Sequence, residues 1–380
     1  MPETIPHDKF GPQYIIKVYD AKSGMDGVLV IDNIALGPGK GGIRMTSNIT
    51  DGEVYRLART MTWKNALAGI PFGGAKSGIK LPEGTTREKK KELIQAFARA
   101  IKPFVPKYYI GGPDVNTGEQ EMCWVVDATG NWHSVTGKPA NLCMQAFGGK
   151  GEKCGIPHEF GSTGFGVAKA AKVAAELIGT PIKGATVAIH GFGNVGMFAY
   201  QFLTEMGARV VAIADRTGAM YAEKGFDSKK ISALIKAKKS IKEYRDAKVI
   251  SNDQFWGAPV DILIPASVTD VIHNGNKARI KAKIIVEGGN IPMREPIEKE
   301  LWKKGIVIVP DFVANAGGVI SSYAEYRGYN PKRMFELVEK KIVTATRMVL
   351  SRALKEKREP REVAMQLARG IVEKKMKTKK

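Results

Sequence analysis

Cysteine and histidine are scarce in this chain, three and five of 380 residues. Cys123, Cys143 and Cys154 form no CxxC pair, and an odd number of separated cysteines is expected of free thiols in a reducing compartment. His7, His133, His158, His190 and His273 are scattered, with no two at ligand spacing, so no metal site is expected. Long apolar runs are missing as well. Stretches such as VAIHGF and DILIPA are strand-sized, far short of the roughly 18 residues of a membrane span. The first residues carry no basic stretch followed by an apolar one, so no signal peptide is expected and the expected location is the cytoplasm.

Acidic residues are outnumbered. Against 38 Asp and Glu stand 59 Lys and Arg, a formal net charge of +21. Such an excess can serve nucleic acid or a lipid surface. Here the basic residues are dispersed, thickening only at Lys89–Lys91, between Lys236 and Lys242, and in a tail from Lys355 to Lys380. No zinc-finger, RRM or KH pattern accompanies them. They are expected to form solvated helix faces and a basic tail, with no nucleic-acid or membrane partner. The positive potential would draw in dianionic substrates and nucleotide phosphates.

What is present points to an enzyme of ordinary globular composition. The 380 residues exceed what one core usually holds, so two domains are expected. Residues 28–34 predict a strand, followed by a glycine-rich turn and by helices near 51–69, 86–102 and 117–129. From about Thr163 the pattern becomes βαβ. A helix leads to the strand ATVAIH, the turn GFGNVG, a second helix and the strand ARVVAIAD. Further strands are expected at VDILIPA, AKIIVEGG and GIVIVPD, and long amphipathic helices over 330–378. Strands alternating with helices imply a parallel sheet covered on both faces. The fold class is α/β: an N-terminal α/β domain over 1–160, a Rossmann-type dinucleotide-binding domain over 161–330, and C-terminal helices over 331–380 that pack back across both. The default active site of that arrangement is a cleft between domains.

GFGNVG lies directly after a strand and before a helix, the context in which a GxGxxG motif binds a dinucleotide. Gly191 permits the tight turn, Gly193 lets a pyrophosphate approach the backbone, and Gly196 lets helix and strand pack closely. With Asn194 and Val195 they open a helix whose free N–H groups favour phosphate. Asp215, at the end of the next strand, can bind a ribose 2′-hydroxyl, whereas Arg216 beside it can hold a 2′-phosphate. The cofactor is therefore NAD or NADP. His190 is read as a packing residue.

Three lysines stand in unusual settings. On the helix from Asp51, Val54, Leu57, Met61 and Ala68 form an apolar stripe at helical spacing, and Lys64 falls on it. A lysine on a buried face is costly unless an anion receives it. Lys76 sits in the loop PFGGAKSG and Lys40 in GPGKGG, where flanking glycines allow close approach of a ligand. Together they read as a cationic pocket in which crowding and burial depress at least one ammonium pKa. A lysine titrating near neutrality is a usable general base. Asp114, in GGPDVNTG, would bring a carboxylate to it.

In this order GPGKGGIRM, MTWKNALAGIPFGGAKSGI, GGPDVNTGEQEMCW, GFGNVG, EGGN and PDFVANAGGVISS resemble the glutamate/leucine/phenylalanine/valine dehydrogenase superfamily, from about Gly24 to Tyr326. The resemblance implies that Lys76 is the catalytic lysine that activates water and Asp114 the proton shuttle. It implies that Lys64 holds the substrate α-carboxylate, and that Thr163, Asn290 and Asn315 lie near the nicotinamide and its ribose. Lys40 and Ser322 match the lysine and serine that bind the side-chain carboxylate in the glutamate-specific members. The expected activity is therefore NAD(P)-dependent, reversible deamination of glutamate to 2-oxoglutarate and ammonia. A branched-chain amino-acid dehydrogenase is the first alternative, and a non-catalytic, basic RNA-binding or regulatory relative the second. The superfamily also implies a homo-oligomer, a hexamer or similar. Three features depart from the glutamate-specific pattern. The N-terminal layout DAKSGMDGVLVIDNIALGPGKGG is closer to leucine-type members. The stretch GGKGEKCGIPHEFGSTGFG differs from the usual segment. Ser77 replaces a glycine, a change expected to be tolerated.

Overall fold

A computed structural model describes residues 5–147, 153–157, 160–237 and 239–378. His158, residues 148–152 of the divergent stretch, Lys238 and Lys380 lie outside the described residues. The chain folds into two compact units, the first of residues 1–160, 319–337 and 367–380, the second of 161–318 and 338–366.

The first unit is built on a sheet of six strands. They are β1 (Tyr14–Asp20), β2 (Met25–Asn33), β3 (Gly39–Lys40), β4 (Ile43–Thr46), β5 (Gly73–Lys80) and β6 (Tyr109–Ile110). Their order is β1-β2-β5-β3-β6, with β4 also on β5. β2 runs antiparallel to β1 and β5, and β3 and β4 run parallel to β5. Helices α1 (Asp51–Leu67), α2 (Arg87–Ala100) and α3 (Glu119–Thr129) complete it. Thr50 caps α1 and Thr86 caps α2, each accepting a backbone N–H three residues on. A core of Leu29, Ile31, Ile43, Ile79, Phe97, Met122 and Val126 fills one side of the sheet.

The second unit opens with α4 (Ser162–Leu177). Then follow β7 (Thr186–His190), α5 (Asn194–Glu205), β8 (Arg209–Asp215), β9 (Gly218–Tyr221), α6 (Ser228–Lys236), β10 (Lys248–Ile250) and α7 (Asn252–Trp256). β11 (Ile262–Pro265), β12 (Ile284–Val286), α8 (Glu295–Lys303), β13 (Val307–Val309) and α9 (Asp311–Ala314) complete the run. The sheet order is β10-β9-β8-β7-β11-β12-β13. Five strands are parallel, and β9 and β10 form an antiparallel edge. From β7 the chain moves to one side through β8 and returns to the other through β11. This makes the β7–β11 junction the switch point of a doubly wound, Rossmann-type sheet. The last helices are α10 (Gly317–Arg327), α11 (Pro331–Glu356) and α12 (Pro360–Lys377).

Three expectations are corrected. Lys76 is not in a loop. GGAKSGIK is β5, a central strand paired along most of its length with β2. Its glycines serve the protein's own packing: a Cβ on Gly73 would stand 1.9 Å from Asn33 O, and one on Gly74 2.0 Å from Thr62 Oγ1. Lys40 likewise lies on a short strand, not in a turn.

Second, the buried face of α1 is Val54, Ala58, Thr62 and Asn65, while Leu57, Met61 and Lys64 flank it half-buried. Two polar residues can occupy that face because each finds a partner. Thr62 Oγ1 donates to Asp32 Oδ2 at 2.5 Å, and Asn65 Nδ2 to Gly73 O at 2.6 Å. The basic tail lies on the helix α12, as the amphipathic pattern over 330–378 predicts, and it buries Val363, Ala364, Ala368 and Val372.

Third, Cys143 and Cys154 are joined in a disulfide, with Cα atoms 4.0 Å apart across an antiparallel bridge. Their spacing hid the pairing because a short reversal of the chain brings the two together. Cys123 is free. Among the described residues no helix is long and apolar enough to cross a membrane, and no cluster of His, Cys, Asp and Glu could hold a metal.

Candidate active site

In the first unit β3 and β5 run side by side, with Lys40 opposite Gly74 and Lys76 two residues further along. Both lysines are buried, 3% and 7% exposed. Lys76 Nζ lies 2.5 Å from Asp114 Oδ2. Asp114 follows β6 in a turn closed by Thr117, whose hydroxyl accepts the Asp114 N–H at 2.8 Å and donates to Ile43 O at 2.6 Å. Arg44 holds the same carboxylate, with Nε 3.2 Å from Oδ2, and is itself tied to Glu53 at 2.6 Å. A Cβ on Gly42 would stand 2.7 Å from Asp114 Cβ. The glycine there admits the aspartate to β5.

Burial lowers the Lys76 pKa; Asp114 pulls it back up and Arg44 pushes it down. The Asp114 carboxyl is held below its ordinary range: burial raises it, and Lys76 and Arg44 outweigh that. Lys40 is lowered to about 7, chiefly by burial. The expected depression of ammonium pKa values is thus present, and desolvation causes more of it than crowding of like charges.

Lys40 Nζ donates to Gly111 O at 2.7 Å. A Cβ on Gly112 would stand 2.6 Å from that Nζ and 3.6 Å from Thr136 Oγ1. The glycine therefore opens the slot that the ammonium occupies. Thr136 is fully buried, and its hydroxyl has no hydrogen-bond partner among the described residues. Ser322, half-buried, is on α10, whose Tyr323 and Tyr326 pack edge-on against Phe72. Lys64 is on α1, two residues past the threonine that abuts Gly74. Ser77 is buried and satisfied by Tyr109 at 2.8 Å, so a serine fits where the superfamily pattern has glycine.

The sequence reading missed Arg44, Thr136, Lys138 and Glu325. Lys138 carries the signal that exposed the other two lysines, a glycine at its side in VTGKP. Glu325 lies four residues after Ser321 on the buried side of α10, where a carboxylate needs a partner.

The second unit holds the phosphate-binding candidates. Gly191, at the carboxyl end of β7, has φ +98° and lies against Ala266 and Ser267. A Cβ on Gly196 would stand 1.9 Å from Gly191 O, so only glycine lets α5 start there. A Cβ on Gly193 would meet nothing within 4 Å. Gly193 is the N-cap of α5 and offers no side chain to its first N–H groups, those of Asn194, Val195 and Gly196. This open cradle at a helix start fits a dinucleotide pyrophosphate.

Asp215 ends β8, its carboxylate accepting Thr217 N at 2.7 Å and Ile241 N at 3.3 Å, with Arg216 exposed beside it. Asn315 is buried and donates to Gly289 O at 3.1 Å and to Asn290 Oδ1 at 3.0 Å, so these two candidates are neighbours. Thr163 is in the first turn of α4. His190 packs as expected, stacked on Trp256 and bonded to Ser267 at 2.8 Å, and burial lowers its pKa to about 4.

Two family models match the chain. Residues 12–131 match the Glu/Leu/Phe/Val dehydrogenase dimerisation domain, and 154–379 the Glutamate/Leucine/Phenylalanine/Valine dehydrogenase domain. A glutamate dehydrogenase from Aeropyrum pernix is 38% identical over 333 residues, spanning 84% of this chain and 77% of its own. One from Thermotoga maritima is 40% identical over 305 residues, 79% and 72% of the two chains. An NADP-specific glutamate dehydrogenase from Saccharolobus shibatae is 38% identical over 325 residues, 83% and 75%. Among solved structures, a glutamate dehydrogenase from Peptoniphilus asaccharolyticus superposes with a TM-score of 0.80 at 30% identity, covering 97% and 92% of the two chains. A hetero-hexameric glutamate dehydrogenase from Thermus thermophilus, in a leucine-bound form, gives 0.81 at 26% identity, covering 97% and 90%.

Proposed function

This chain belongs to the Glu/Leu/Phe/Val dehydrogenase family, and we propose that it works as one of the glutamate-specific members. It catalyses the reversible NAD(P)-dependent oxidative deamination of L-glutamate to 2-oxoglutarate and ammonia. The observation that carries the reading is the buried Lys40, whose ammonium stands in a slot kept open by Gly112, in the same unit as the Lys76–Asp114 pair. An apolar side chain in that slot would leave a buried cation without its anion. Curated relatives at 38–40% identity that are glutamate dehydrogenases support it.

Lys40 and Ser322 receive the side-chain carboxylate and Lys64 the α-carboxylate, which fixes Cα. A nicotinamide cofactor, when bound at Gly191–Gly196 and attended by Asp215, Arg216, Thr163, Asn290 and Asn315, supplies the hydride acceptor. Once Cα has given up its hydride and is double-bonded to nitrogen, neutral Lys76 takes a proton from water as the water oxygen bonds to Cα and the C=N π bond opens. Asp114 returns a proton to the nitrogen, and ammonia leaves as the C–N bond breaks and the new hydroxyl gives up its proton to become the keto oxygen. The first unit is the substrate-binding part, and the assembly is a homo-hexamer. The hetero-hexameric Thermus thermophilus neighbour supports a count of six subunits.

An absorbance assay crossing glutamate and leucine with NAD and NADP tests the reading. Glutamate is expected to reduce at least one cofactor with a kcat/KM about 100-fold above leucine. A preference for leucine overturns it.

A further inference from the structure

Lys138 and Glu325 have no part in that chemistry. Both side chains are 0% exposed, with Nζ 2.5 Å from Oε1. A buried ion pair is weak evidence of stabilisation, because the desolvation of both charges offsets their attraction. Its position is informative instead. Glu325 Oε2 accepts the N–H groups of Gly137 and Ile156 at 2.8 and 2.9 Å, so both carboxylate oxygens are held. Lys138 Nζ also donates to Val135 O at 2.5 Å and lies 3.8 Å from the Trp132 ring centroid.

The segment carrying these contacts runs directly behind Lys40. Thr136 N donates to Gly111 O at 3.1 Å, the same carbonyl that takes the Lys40 ammonium at 2.7 Å. Val135 pairs with Gly111 in a parallel bridge. On α10, Glu325 is three residues past Ser322, one turn along the same face. Charged groups act electrostatically on Lys40 from three elements: Lys76 on β5, Lys138 on the 135–138 segment, and Glu325 on α10. Two are cations that oppose its charge. Glu325 is the anion.

We infer that Glu325, clamped by Lys138, is a specificity-determining positioning residue: it supplies the negative charge that keeps the buried Lys40 cationic, so that the slot takes a substrate with a second carboxylate and refuses an apolar side chain. This rests on the reading of Lys40 as the partner of that carboxylate. A lysine at such depth, with two other ammonium groups nearby, sheds its proton unless an anion opposes the loss. A neutral amine gives a carboxylate no charge to pair with. It also tolerates an alkyl chain that an ammonium would reject.

The test is kcat/KM for glutamate and for norvaline, which replaces the distal carboxylate by methyl, measured from about pH 6 to 9. The ratio of the two cancels ionisations that both substrates need, those of Lys76 and Asp114 included, and leaves that of Lys40. In the parent protein the ratio falls as pH rises through about 7. In Glu325→Gln the fall moves to lower pH by about one unit or more, so the ratio near neutrality drops about fivefold or more. The double variant Glu325→Gln/Lys138→Gln leaves no unpaired buried charge, moves the same way, and serves where the single variant does not fold.

A ratio curve in either folded variant that overlays the parent overturns the inference. Lys40→Leu separates the two claims. If it leaves the preference for glutamate intact, the reading of Lys40 is wrong. If it abolishes the preference while the glutamine variants keep the parent curve, the role of Glu325 alone is wrong.

Discussion

Lys76 and Asp114 share a 2.5 Å ion pair in which each sets the other's proton affinity. The carboxylate raises the ammonium pKa against burial, and the ammonium lowers that of the carboxyl. If neutral Lys76 is the base, kcat/KM rises with pH as Lys76 loses its proton. Asp114→Asn removes the anion that favours the charged lysine. The rising limb then moves to lower pH, even as the maximal rate falls by about 10²–10⁴. A pH–rate profile of the variant checks this, and a limb that stays in place or moves up contradicts it.

Gly112 offers a way to disturb Lys40 without replacing it. A methyl there would stand 2.6 Å from the Lys40 Nζ, the mobile end of a long side chain. Gly112→Ala is expected to raise KM for glutamate at least about tenfold. Its thermal midpoint should shift little, because the side chain and not the backbone gives way. Steady-state kinetics alongside a melting curve read both. An unchanged KM would mean that the ammonium is not where the substrate binds.

The last two glycines of the GFGNVG turn should behave differently. Gly196→Ala drives a Cβ into Gly191 O and should destabilise the second unit by several kcal/mol. Gly193→Ala meets nothing in the protein. It should leave the melting temperature within a few degrees and raise KM for NAD(P), because the methyl occupies space that the pyrophosphate needs.

Arg361 of α12 reaches three carboxylates in the second unit. Its Nη2 lies 2.7 Å from Glu287 and 3.1 Å from Asp311, and its Nε 2.5 Å from Glu298. One guanidinium cannot neutralise three buried anions, and burial with Glu298 nearby raises the Glu287 pKa well above the ordinary range. A raised carboxyl pKa means that the folded state holds the proton more tightly than the unfolded one. The contribution is complete below the ordinary carboxylate pKa of 4.5 and is lost as pH rises through the folded value. Thermal unfolding between about pH 5 and 8 should therefore show stability declining with pH, and Glu287→Gln should flatten that slope. Arg361→Met, which strands the carboxylates, should cost about 3–5 kcal/mol in denaturant unfolding.

Thiol titration tests the covalent link between Cys143 and Cys154. The unfolded, unreduced protein should expose one reactive thiol, Cys123, and three after reduction. Three thiols without reductant would remove the bond.

Much of this molecule was legible in the residues themselves. The helix–strand alternation after Thr163 gave the doubly wound sheet, because buried parallel strands are short apolar runs and their helices obey a clear period. Lys40 and Lys76 stand out in the sequence through their flanking glycines. The strand β5 does not, for the same reason: GGAKSGIK has the composition of a turn, and only the approach of α1 and β2 explains why side chains are absent from it. Glu325 and Lys138 are 187 positions apart, and nothing local marks them as partners. Likewise the Cys143–Cys154 bond depends on a chain reversal that no spacing rule announces.

The polypeptide passes between its two units at residues 160, 318, 337 and 366. Neither unit is thus a continuous stretch that could be cut out. A clone stopping near residue 330 would lose the 338–366 strip that carries Arg361, and with it the counter-ion of the second unit's buried acids. It would also lose the last fourteen residues, where Glu373 meets Lys9 and Met376 meets Asn33. Protease nicking should accordingly yield pieces that stay together until denaturant is added. Recombining the second unit with that of a relative demands matched junctions at all four seams.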